Sequence, residues 1–61
     1  MFRVGERILY RQKGLLSTGE LYLGEIKEVG DEFLKMEIEV EGGGKEVKMI
    51  AKSQIVIERK V

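Results

Sequence analysis

The clearest pattern in the chain is FLKMEIEVE, residues 33–41, where Leu34, Met36, Ile38 and Val40 alternate with Lys35, Glu37, Glu39 and Glu41. A period of two places the apolar set on one face, which predicts a half-buried antiparallel strand. EGGGKE (41–46) follows as a glycine turn whose type the three glycines leave open. EVKMIA (46–51) then returns with Val47 and Met49 on one face, which completes a hairpin. ERILYRQ (6–12) reads as the first strand, after a turn at Gly5. KGLLSTG (13–19) breaks the alternation and reads as a loop. Its Leu15 and Leu16 are expected to tuck onto the body, because exposing both would be costly.

ELYLGEIKEV (20–29) has inconsistent parity: Leu21 and Leu23 share one face, whereas Ile26 belongs to the other. Gly24 lies between them, and a glycine inside a strand commonly marks a bulge or bend. The segment is therefore read as one long strand strongly bent at Gly24. AKSQ (51–54) reads as a short turn and IVIERKV (55–61) as the last strand. No window shows a convincing helical period. The expected fold is all-β, a single five-stranded small barrel over residues 1–61, because closure removes the open edges an all-β chain this short would otherwise expose.

Size sharpens this picture. A chain of 61 residues buries only about 60% of its unfolded surface and needs a staple or very regular packing. With neither cysteine nor histidine, disulfides, the usual zinc sites and nucleophiles based on those residues are excluded. The 43% hydrophobic and 36% charged residues match a globular chain, and the longest apolar runs are too short to span a bilayer. No charged region followed by an apolar one suggests a signal peptide, so a natural protein of this composition is expected in the cytoplasm. Few thermolabile residues and many Glu, Lys and Arg fit a thermostable protein. They fit equally a sequence designed de novo for foldability.

Net charge is zero, yet its distribution is uneven. Residues 1–19 carry +3, residues 20–41 carry −6 and residues 42–61 carry +3. First and last strands are neighbours in small barrels, so Arg3, Arg7, Arg11, Arg59 and Lys60 are expected to form a basic pole able to attract phosphate. The alternative is that the opposite charges serve solubility and cross-strand pairing. Leu9, Val56 and Tyr22 fall opposite the main apolar stripe and are expected to be buried beneath the long loop, or else to form a self-association patch.

Two family resemblances follow from these residues. LYLGEIKEVGDEFLKMEI (21–38) resembles the first motif of Sm-like proteins through Gly24, Ile26, Val29, Asp31, Phe33 and Leu34, with Gly30 as one extra residue. MIAKSQIVIER (49–59) resembles the second motif through Ile50, Ile55 and Ile57. The resemblance implies a barrel that holds a base by stacking on Phe33. Lys35 stands where that family carries Asn, and Ala51-Lys52 where it carries Arg-Gly. It also implies ring assembly through the last two strands, which a bipolar monomer would suit. ILYRQ (8–12), the loop, ELYL (20–23) and IAKSQIV (50–56) are similar in spacing to Src-homology-3 domains. That family grips polyproline peptides with Trp, Pro and tyrosines. Trp and Pro are absent here, which leaves Tyr10 and Tyr22 as candidate protein-contact residues.

Other constellations carry less. GGGK (42–45) lacks the spacing of a phosphate loop and reads as a bare turn. Ser17-Thr18-Gly19-Glu20 mimics a helix cap but precedes a strand. Glu37, Glu39 and Glu41 read as a solvated face and Asp31-Glu32 as an acidic turn, with no calcium-loop spacing. The expectation is a non-enzymatic binding or assembly module without cofactor or metal. Its candidate ligand is single-stranded nucleic acid, bound at the basic pole or at Phe33, Lys35 and Lys52. The alternatives are a designed scaffold with no native ligand, and a protein-interaction barrel acting through Tyr10 and Tyr22.

Overall fold

The computed structural model describes residues 1–14 and 19–61; the expectations for Leu15, Leu16 and the Ser17-Thr18 pair lie outside that set. Five strands, β1 (Arg7–Gln12), β2 (Leu21–Val29), β3 (Phe33–Glu39), β4 (Lys45–Ala51) and β5 (Ile55–Lys60), form one antiparallel sheet. A single 3-10 turn, Lys52–Gln54, separates β4 from β5. The strand order is β4-β3-β2-β1-β5. The ladder is thus open, with β4 and β5 as its edges, and the closure expected from the sequence is not present as hydrogen bonding between described residues.

The core lies on one side of this sheet. Ile8, Tyr10, Ile26, Leu34 and Met36 have no exposed surface, and Ile38 and Ile50 retain 4% each. Phe2, Tyr22, Ile55 and Ile57 pack against them. Among the described residues no second layer covers that face, and a single flat layer would leave it wet, so the sheet bends round its own inner face. Backbone bonds brace the bend. The 3-10 turn receives Lys13 N–H at Gln54 O (2.7 Å) and gives Lys52 N–H to Glu32 O (2.8 Å). It thereby ties the end of β1 to the turn between β2 and β3.

The alternation over 33–41 holds for Leu34, Met36 and Ile38, all buried on β3, but Val40 is 36% exposed in the following turn. That turn runs through Gly42 and Gly43, whose φ values of 88° and 84° are left-handed and suit glycine. Two expectations are corrected. Tyr22, Gly24 and Ile26 share the core face, so parity does not change at Gly24. The irregularity lies instead between Ile26 and Glu28, where Lys27 is the extra residue opposite the step from Met36 to Lys35. Gly24 marks close packing: a Cβ there would stand 2.7 Å from Met36 Cε, the flexible end of that side chain, and 3.4 Å from Tyr10 Cε1. Tyr22 belongs to the core face as well, its ring 5.6 Å from that of Tyr10. Leu9 and Val56 do occupy the opposite face, and both are half-buried.

On β4 the inner positions are Glu46, Lys48 and Ile50, paired with Ile38, Met36 and Leu34. Val47 and Met49 share a face as expected, but it is the outer one, and they are 55% and 62% exposed. Ile50 alone carries the core onto this strand.

Candidate nucleic-acid interface

The outer face of β1 carries Arg7, Leu9 and Arg11, because Ile8 and Tyr10 point into the core. Which β5 residues join them depends on register. Tyr10 pairs with Ile57 and Leu9 with Arg59, which leaves Glu58 unpaired as a bulge. Without that extra residue Glu58 would oppose Leu9, and Arg59 would turn to the core side with Ile8. The bulge therefore brings Arg59 outward, between Arg7 and Arg11 on the neighbouring strand. Cross-strand diagonal neighbours lie about 7–8 Å apart, within reach of three long guanidinium side chains.

The partners of these cations differ. Arg11 donates to Gly19 O and lies 3.6 Å from Glu58. Arg7 sits opposite Glu25 across the β1–β2 ladder. Glu25 has its carboxyl held below the usual carboxylate range, chiefly by its hydrogen bond from Lys27 and by the charge of that lysine, with Lys45 and Arg7 adding smaller effects. Lys27 is raised in return by the same bond, 3.0 Å long. Arg59 has no ion pair among the described residues and is exposed.

The other two members of the expected basic pole are elsewhere. Lys60 pairs with Ile8 on the core side, where its Nζ lies 3.2 Å from Glu6 and donates to Met1 O at 3.4 Å. Arg3 is exposed in the turn before β1, its carbonyl accepting Glu6 N–H at 3.2 Å. Three of the five cations thus share one face, and Lys60 is separated from them by the sheet itself.

Phe33 opens β3 and is 46% exposed. Two open grooves meet at it. The larger, about 690 Å³, is floored by Val4, Val29, Phe33 and Met49. Its charged rim holds Lys27 and Lys35 against Glu28, Asp31 and Glu32, and Lys35 is engaged by Glu28 at 3.9 Å. The smaller, about 400 Å³, has Lys52 and Ser53 beside Phe33, with Glu32 opposing. Phe33 therefore meets Lys35 in one groove and Lys52 in the other, and neither rim is net basic. Phe33 presents an exposed ring, and the acids around it at least match the bases in number.

The two tyrosines have different fates. Tyr10 has no exposed surface, so it cannot contact a partner and is a core residue. Its hydroxyl is buried without a hydrogen-bond partner among the described residues, and its pKa is pushed up to about 12 by burial first and by Tyr22 second. Tyr22 is half-buried, and its hydroxyl donates to Glu20 Oε2 at 3.4 Å beside an open groove rimmed by Glu20, Glu39 and Glu41.

Among the described residues no cluster of three or more His, Cys, Asp or Glu could hold a metal ion, and no helix is long and apolar enough to cross a membrane. No family model, curated protein or solved structure matches the chain.

Proposed function

We propose that the chain is a small barrel of the Sm and Src-homology-3 kind, acting as a non-enzymatic binding and assembly module that holds single-stranded nucleic acid by its phosphates on the outer face of β1 and β5. Support for the barrel is the complete burial of Ile8, Tyr10, Ile26, Leu34 and Met36 by a sheet with no second layer among the described residues. The observation that carries the ligand is the bulge at Glu58, which sets Arg59 outward between Arg7 and Arg11. Guanidinium groups in a row offer phosphate oxygens forked, charge-assisted bonds. With only three of them, and with acids at Glu25 and Glu58 nearby, binding is weak and strongly screened by salt.

The test is fluorescence anisotropy of a labelled single-stranded oligonucleotide, titrated from low to physiological ionic strength. Three phosphate contacts give a slope of log K against log salt of about −2. No binding at low ionic strength rules the reading out.

A further inference from the structure

We propose that β4 pairs with β4 of a second copy, antiparallel about a twofold axis at Val47, to give a closed dimer. The strand is one of the two edges of the sheet that no other strand pairs with among the described residues, and residues 45–49 are all exposed. Two features set this edge apart. Its outer face carries Val47 and Met49, 55% and 62% exposed. Its inner positions carry Glu46 and Lys48, which lie opposite Ile38 and Met36 and form no ion pair among the described residues.

Charges at inner positions are a known guard against promiscuous edge pairing. Their order here makes them complementary to themselves. With Val47 opposite Val47, an antiparallel copy sets Glu46 against Lys48 twice, and Lys45 against Met49 twice. The inner face gains two opposite-charge pairs. On the outer face the two valines meet, and each Lys45 stem lies along a Met49 while its Nζ can stay with Glu37, 3.5 Å away. Sliding by one residue along each strand puts Lys48 against Lys48 or Glu46 against Glu46, and like charges directly opposite are destabilising. Sequence thus disfavours both neighbouring registers, and an isologous contact of this kind closes at two copies. One short strand per subunit buries less than a standard interface, so the dimer is weak and forms at high protein concentration.

This deepens the assembly part of the reading above and stands apart from phosphate binding, since the pairing uses Lys45–Met49 of β4 and none of Arg7, Arg11 and Arg59. Sedimentation equilibrium over a wide concentration range tests it, with circular dichroism to confirm that each variant is folded. A monomer–dimer equilibrium is expected for the native chain. Lys48→Glu sets glutamates opposite each other twice and weakens the dimer at least tenfold. Glu46→Lys does the same with lysines. The double variant Glu46→Lys/Lys48→Glu restores dimerisation to within about threefold, because reversing both charges preserves the pairing. A strict monomer at every concentration overturns both this dimer and the assembly reading. A larger ring, or a dimer indifferent to Lys48→Glu, overturns the β4 pairing while leaving assembly through other edges intact.

Discussion

Gly24 and Met36 occupy a single side-chain space: a Cβ on Gly24 would stand 2.7 Å from Met36 Cε and 3.4 Å from Tyr10 Cε1. The methionine fills the room that the absent side chain leaves. The clashing atom is the flexible end of the methionine, so Gly24→Ala should displace it and destabilise the protein by only about 1 kcal/mol through overpacking. Shortening the intruding side chain should relieve it, so Gly24→Ala should cost less in a Met36→Val background. Urea unfolding of the four-variant cycle measures this coupling, and strict additivity would refute the shared space.

Tyr10 predicts a gain. Its hydroxyl is buried without a partner among the described residues, so Tyr10→Phe removes an unsatisfied group and should stabilise the fold by about 1 kcal/mol at neutral pH. Alkali should separate the two proteins further. The folded-state pKa is raised from 10.0 to about 12, so above pH 10 the unfolded chain loses this proton before the folded one does. Stability held in full below pH 10 is then lost as pH rises toward 12. Tyr10→Phe should lack that component of the decline, as thermal melts across the alkaline range would reveal.

The two faces of the hairpin should respond oppositely to truncation. Leu34 is fully buried, and Leu34→Ala should cost about 2–5 kcal/mol, enough to threaten a 61-residue fold. Val47 is 55% exposed, and Val47→Ala should change monomer stability by no more than about 0.5 kcal/mol. Denaturant midpoints at low protein concentration test the pair. A large effect at Val47 would contradict its outward placement.

How much of this was legible in sequence depended on burial. The β3 alternation was readable because one of its faces is wholly buried, so the pattern has one interpretation. The β4 pattern misled because at an edge neither face is well covered. Val47 and Met49 can point outward there, and the core continues through Ile50 alone. Bulges were the second obstacle. Lys27 and Glu58 each add one residue to a strand, and nothing in a charged side chain announces it. Gly24 drew the bend instead, although it marks close packing. Neighbouring strands with basic residues could be read from the order of elements. That Arg59 joins Arg7 and Arg11 while Lys60 does not required the register, and with it the bulge.

That divergence of adjacent residues gives the most direct measurement. Salt-dependent oligonucleotide binding should be compared for Arg59→Gln and Lys60→Gln, each removing one positive charge two positions from the C-terminal end or next to it. Long-range electrostatics treats the two nearly alike; the outer-face interface does not. Arg59→Gln should weaken binding and make the salt slope shallower by about 0.7, while Lys60→Gln leaves the slope unchanged. Equal losses in both variants, or a loss confined to Lys60→Gln, would contradict the interface on β1 and β5.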